Sequence, residues 1–217
     1  MKRIYLPLFL VLFLAIFMPV NISYADASSY LSMAVVCEDN LLYSKNENMK
    51  LPMASTTKIF TALTVIENCN DFDTLVSVPK KATLTEGTSI YLKENEKLTV
   101  KELLYGLMLR SGNDAAVALA THISGNVNDF ADLMNKTASK YGLKNTSLKN
   151  PHGLDENGHY TTAVDLAIFT QNALKNPIFR EIVSSKNFEI KERENCGYRY
   201  FINKNRLLTT LGIFLST

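Results

Sequence analysis

The sequence predicts a mixed α/β (α+β) chain: two N-terminal strands, a mostly helical middle and a return to strands. Three observations carry this. Short apolar runs flank a polar turn before Asn46, helical periodicity recurs between Thr56 and Leu174, and strand-like runs reappear after Phe188. Leu31 to Val36 and Leu41 to Ser44, separated by Glu38-Asp39-Asn40, read as a hairpin. From Thr56 the period changes. Ile59, Phe60, Leu63 and Ile66 repeat at helical spacing up to Asn68. A polar segment with Pro79 and Gly87 as breakers follows. Leu98 to Arg110 reads as a helix, opened by Thr99 with Glu102 three residues on, a capping box. Ala115 to Ile123 is an apolar helix stopped by Ser124-Gly125-Asn126, and Asp129 to Tyr141 is amphipathic up to Gly142. A loop of Asn, Pro, Gly and His runs from Asn145 to Tyr160, and Thr162 with Asp165 caps a helix through Leu174. Phe188 to Lys191 and Tyr198 to Ile202 read as strands. Two or three further strands would be expected to complete a sheet begun by one hairpin, because an isolated hairpin is marginal.

The N-terminus has the form of an export signal over residues 1–25. Lys2 and Arg3 precede an unbroken apolar run of eleven residues, Leu8 to Met18, and Ser23-Tyr24-Ala25 offers small residues for cleavage. Pro7 and Pro19 bracket that run short of the roughly 17–25 residues that span a bilayer. Export to the cell envelope without a stable membrane anchor is therefore expected, and residues 26–217 form one domain. Without Lys2 and Arg3, the 23 basic residues fall to 21 and equal the 21 acidic ones. That balance argues against nucleic acid as a partner. Cys37, Cys69 and Cys196 are an odd number with no metal spacing. They permit at most one disulfide and read as small buried residues.

Chemistry is suggested by Ser55-Thr56-Thr57-Lys58 and Ser111-Gly112-Asn113. A serine and a lysine one helical turn apart can make a nucleophile and its base without histidine. Burial and the positive end of the helix dipole both disfavour a charged lysine there. Spacing alone is a weak argument. Ser77-Val78-Pro79-Lys80 repeats it, but Pro79 interrupts the helix that would make the pair converge. Ser-x-Asn occurs at Ser44, Ser111, Ser124 and Ser185 and nominates none of them. From spacing alone, Ser55 as a helix cap and Lys58 as a solvated first-turn residue is the better reading. His152 and His159 sit in a Pro/Gly/Asn loop without a metal-spaced companion, so they read as loop structure, while His122 on an apolar helix serves packing or solvent.

Longer stretches decide between these readings. Pro52 to Leu63 resembles the nucleophile segment of the D-alanyl-D-alanine carboxypeptidases, the low-molecular-mass penicillin-binding proteins of the β-lactamase/transpeptidase-like fold. Gly87-Thr88-Ser89-Ile90-Tyr91-Leu92 resembles that family's segment before its second motif. Leu109 to Ala116 resembles the second motif itself and picks Ser111 from the four candidates. Asn150-Pro151-His152-Gly153-Leu154 with His159-Tyr160-Thr161-Thr162-Ala163 resembles its later loop. The stretches occur in the family's order and cover roughly Leu31 to Leu208.

The resemblance implies a serine hydrolase acting on peptidoglycan stem peptides ending in D-Ala-D-Ala, with β-lactams as covalent inhibitors and no metal or organic cofactor. Ser55 would be the nucleophile, Lys58 its base and Ser111 the proton donor to the leaving D-alanine. Asn113 would hold the peptide amide and orient Lys58. In the family a Lys-Thr-Gly strand lies beyond the stretch matching Asn203 to Leu208, and this chain contains no Lys-Thr-Gly. The resemblance fails after about Thr210. This reads as a truncated catalytic domain lacking C-terminal sheet strands, with weak or no activity in this form. The competing readings are a β-lactamase of the same fold, which rapid nitrocefin turnover would reveal, a non-catalytic cell-wall binding remnant, and a non-functional fragment.

Overall fold

The computed structural model describes residues 30–38 and 40–210, so the expected export segment lies outside the described residues. Among the described residues, 32–38 and 40–210 form one compact unit, which carries every element named below. Strands β1 (Met33–Cys37) and β2 (Asn40–Lys45) pair antiparallel, with Cys37 opposite Asn40 and a register shift between Val35 and Val36. A 3₁₀ turn at Ala54–Thr56 runs directly into helix α1 (Thr57–Asn68). Nine of the twelve α1 residues are buried, including Phe60, Leu63 and Val65. A helix apolar on all sides belongs in the centre of a core, and α1 packs against five others described below.

Strand β3 (Leu75–Ser77) pairs antiparallel with β4 (Lys97–Thr99), and the four-residue helix α2 (Lys80–Thr83) lies between them in sequence. The Thr99–Glu102 capping box is formed, with both reciprocal bonds, at the head of α3 (Val100–Arg110). Leu98 and Thr99 therefore leave the helix that the periodicity begins at Leu98, and join Lys97 in β4. Their alternating exposure, with Leu98 inward, satisfies β3 instead.

Helix α4 (Asn113–Ser124) starts two residues before the expected Ala115, and α5 (Val127–Lys140) is capped by the Asn126 side chain on the Asp129 N–H. Helix α6 (Ala163–Lys175) has the expected Thr162 cap. Helix α7 (Pro177–Ser184) is not apparent from periodicity because it is short. It is set by Asn176, which accepts from Ile178 and Phe179 N–H, and by proline at its first position. Strands β5 (Asn187–Ile190) and β6 (Arg199–Ile202) pair antiparallel, and α8 (Leu207–Thr210) follows.

The helices packed on α1 are α3, α4, α5, α6 and α7. Phe60 of α1 stacks on Phe169 of α6 at 4.2 Å between ring centroids, and Tyr141 meets Phe169 edge-on. The strands differ. The described residues hold three separate two-stranded sheets, and Leu42, Tyr43, Tyr200 and Ile202 leave large apolar surface exposed. The α/β class is as expected, with the strands as isolated pairs. Only Cys196 of the three cysteines is buried; Cys37 is exposed and Cys69 partly so, which corrects the expectation of three buried thiols. All three are free. His122 is exposed on the solvent face of α4, because Val117 to Ala120 take the core side.

Candidate active site

Ala54 has a φ of +45°, a left-handed backbone that costs an alanine energy, and it immediately precedes Ser55. This sharp turn leaves Ser55 exposed at the head of α1, whereas Lys58 one turn on is 2% exposed. Lys58 Nζ donates to Ser55 Oγ at 3.1 Å and to the His152 carbonyl oxygen at 2.7 Å. The Ser-x-x-Lys pair thus converges as the helical spacing requires. Burial, reinforced by the charge of Lys204 and opposed by Asp114, brings the Lys58 ammonium from its usual 10.5 down to about 8. At that value about a tenth of the amine is neutral at pH 7.

The loop from residue 149 to 159 closes over the start of α1. Asn150 is buried; its side-chain oxygen accepts from Gly153 N–H, while its amide donates to the Leu154 carbonyl and to Glu156. This ties a tight turn in which Gly153 has a φ of +88°. A Cβ on Gly153 would lie 2.0 Å from the Ala54 carbonyl oxygen, so only glycine lets the loop press against the Ser55 turn. Thr61 Oγ1 donates to the Pro151 carbonyl at 2.6 Å. His152 is pushed down to about 4, first by burial and then by the Lys58 charge. Its Nδ1 accepts from Leu154 N–H, so its ring supports the loop while its carbonyl holds Lys58.

Ser111 and Asn113 stand at the junction of α3 and α4. Ser111 adopts the left-handed conformation (φ +63°) that ends α3, and its side chain is half-buried without a hydrogen-bond partner among the described residues. Asn113 is buried, and its side-chain amide donates to the Glu86 carbonyl at 2.6 Å. Among the described residues it makes no hydrogen bond to Lys58, which donates instead to the His152 carbonyl. Of the other three Ser-x-Asn serines, Ser44 lies in β2 and Ser185 after α7, while Ser124 joins α4 to α5 at the far end of α4 from Asn113.

Asp114 is a structural centre that sequence reasoning missed. Its buried carboxylate accepts from Ser89 Oγ, from Ile90 and Leu92 N–H, and from Ala115 N–H. It therefore clamps the 88–92 segment to the head of α4, where Asn113 N–H also donates to the Thr88 carbonyl. Arg199 grips the same segment from β6, donating to the Ile90 and Tyr91 carbonyls while pairing bidentately with Glu96 at 2.6 and 2.7 Å. Burial opposes ionisation of Glu96, but bonds from Arg199, Lys93 N–H and Gly197 N–H outweigh it and hold its carboxyl below the usual range. An acidic residue directly after Ser-x-Asn is the only sequence trace of this clamp. Among the described residues no group of three or more His, Cys, Asp or Glu side chains is placed to hold a metal ion.

Comparison with known proteins places the chain in a family. The family model described as D-alanyl-D-alanine carboxypeptidase matches residues 21–215. The chain is 41% identical over 173 residues to D-alanyl-D-alanine carboxypeptidase DacF of Bacillus subtilis, covering 77% of this chain and 44% of that relative. It is 33% identical over 194 residues to DacC of Escherichia coli, covering 84% and 47%. Among solved structures, a D-alanyl-D-alanine carboxypeptidase from Mycobacterium tuberculosis superposes with a TM-score of 0.75 at 29% identity, covering 82% of this chain and 67% of the other. The Streptomyces K15 DD-transpeptidase gives 0.73 at 32% identity, covering 79% and 71%. The chain spans somewhat under half the length of these two curated relatives, and no helix of the described residues is long and apolar enough to cross a membrane. With a family model matched over most of its length and a Ser-x-x-Lys pair converged at the helix head, the chain belongs to the D-alanyl-D-alanine carboxypeptidase family.

Proposed function

We propose that this chain carries the acylation site of a serine D-Ala-D-Ala carboxypeptidase, exported by residues 1–25 and acting on peptidoglycan stem peptides in the cell envelope, with residues 26–217 as its domain. The observation that carries the reading is the buried Lys58 amine, 3.1 Å from Ser55 Oγ and brought to about 8. Ser55 Oγ attacks the carbonyl carbon of the bond between the two D-alanines, and neutral Lys58 takes the hydroxyl proton. As the tetrahedral intermediate collapses, the C–N bond breaks and the leaving nitrogen gains a proton through the Ser111 hydroxyl. D-alanine departs, and water then hydrolyses the ester on Ser55 to restore the serine. Asn113, fixed by its amide on Glu86, offers its side-chain oxygen to a substrate N–H. β-Lactams acylate the same oxygen.

The test is the intact mass of residues 26–217 after incubation with benzylpenicillin, beside Ser55→Ala. A stoichiometric adduct that requires Ser55 is expected. A folded protein that gains no adduct would overturn the reading.

A further inference from the structure

His159 is the one loop residue that bonds both the 149–159 loop and the helix bearing Ser55 through its side chain. It is buried, and its Nδ1 accepts the Lys149 backbone N–H at 2.9 Å. A backbone N–H only donates, so Nδ1 holds a lone pair and the ring proton sits on Nε2. Nε2–H therefore donates to Thr57 Oγ1, 2.8 Å away. Thr57 is fully buried, opens α1 and lies between Ser55 and Lys58. Its Oγ1 also sits 2.8 Å from the position a Gly153 Cβ would take, directly under the contact with Ala54. The loop is thus latched to the first turns of α1 at four places: Gly153 on Ala54, His159 on Thr57, the His152 carbonyl on Lys58 and the Pro151 carbonyl on Thr61.

We propose that His159 is a positioning residue for the acylation ascribed to Ser55 above: its Nε2–H bond to Thr57 fixes the α1 turn on which Ser55 and Lys58 converge. The ring itself is not an acid or a base in the reaction, because both nitrogens are committed. A misplacement of about 1 Å at such a turn is enough to cost about 10²-fold in rate. Support of the loop alone would instead need only the Lys149 bond.

The two bonds can be removed separately. In His159→Gln the amide nitrogen takes the place of Nε2 and keeps the donor to Thr57, while the acceptor for Lys149 is lost. In His159→Asn the side-chain oxygen takes the place of Nδ1 and keeps Lys149, while the donor to Thr57 is lost. The saturating acylation rate by benzylpenicillin, read by intact mass, is expected to fall about 10²-fold in Asn and stay within a few-fold of the parent in Gln. The half-saturating concentration should hold in both, and thermal melts should show Gln no more stable than Asn. Equal rates in the two variants, or rates that track the melts, would overturn the proposal. If the parent itself gains no adduct, the acylation reading fails instead, and NMR titration of the Lys58 ammonium decides the latch. An upward move in Asn but not in Gln supports it, and the same midpoint in all three proteins overturns it.

Discussion

The chain contains two Ser-x-x-Lys segments, and the structure treats them in opposite ways. Ser55 and Lys58 converge to 3.1 Å at the head of a helix buried on nearly every side. Ser77 ends strand β3 and Lys80 opens helix α2, with Pro79 in extended conformation between them. The neighbours make the difference. Val76 and Val78 take the core side of the second segment and turn Ser77 and Lys80 to solvent. In the first segment Phe60, Thr61 and Leu63 drive α1 into the core and carry Lys58 with them. Reactivity at a serine-lysine pair is therefore a property of what surrounds the lysine. Burial brings Lys58 to about 8, and the helix that carries it is packed by five others and covered by the His152 loop, none of them within the four-residue motif.

The largest effect expected from this contrast is at the nucleophile. Ser55→Ala should abolish β-lactam acylation, while Ser77→Ala should leave its rate unchanged. An adduct that survives Ser55→Ala and maps to Ser77 would reverse the assignment.

Next in size is Lys58→Met, which should reduce acylation by orders of magnitude and also alter the pH dependence of stability. Because the folded-state value lies below the ordinary 10.5, the folded protein binds fewer protons than the unfolded chain between about pH 8 and 10.5. Stability from this group therefore rises with pH across that window, and below pH 8 the charge is held in the core at full cost. The displacement corresponds to on the order of 3 kcal/mol. Lys58→Met should thus melt no lower than the parent at pH 7, despite leaving the His152 carbonyl without its donor, and should lose the rise between pH 8 and 10. In the parent, the acylation rate should climb with pH through about 8 as the amine loses its proton. A rate that is flat from pH 6 to 9 would contradict a buried lysine base.

Third is the wedge that the second segment lacks. Gly153→Ala places a Cβ 2.0 Å from the Ala54 carbonyl and asks alanine to adopt a φ of +88°. A loss of about 3 kcal/mol is expected, or roughly 6–12 °C in melting temperature for a chain of this size. Gly125→Ala is the control. It meets the same positive φ with nothing within 4 Å of the new Cβ, and should cost about 1 kcal/mol. Equal losses at the two glycines would mean that backbone strain alone, and not contact with the Ser55 turn, fixes Gly153.

Much of this was legible in the residues. The Thr99–Glu102 capping box, the Thr162 cap and the apolar stripe of α1 are local patterns, and each appears where the sequence places it. Pro79 was sufficient to dismiss the second Ser-x-x-Lys. Contacts between distant segments were not legible. No periodicity announces that the His152 carbonyl would hold Lys58 across 94 positions, or that Arg199 would grip the Tyr91 carbonyl across 108. The β3–β4 pair was hidden because each strand is only three residues long and its partner lies some twenty residues away. The acceptor beside Lys58 was hidden for a related reason. A side-chain amide and a backbone carbonyl serve equally as acceptors for an ammonium, and only the folded loop shows which one lies beside Lys58.

The smallest expected effect is the one that isolates the comparison. Lys80 is exposed, and the backbone carbonyl at that position already accepts from Thr83 Oγ1, so the side chain is not needed to hold the turn. Lys80→Ala should change stability by no more than about 0.5 kcal/mol, as for ordinary surface positions, and should not alter acylation. Restoring the helix is a stronger variant of the same experiment. Pro79→Ala removes the steric bar to a helical Ser77–Lys80 turn, yet leaves Val76 and Val78 demanding an inward face. If spacing on a helix were sufficient, this variant would gain a second β-lactam adduct. If burial of the lysine is what matters, Ser77 should stay inert even then, and intact mass should show a single adduct on Ser55.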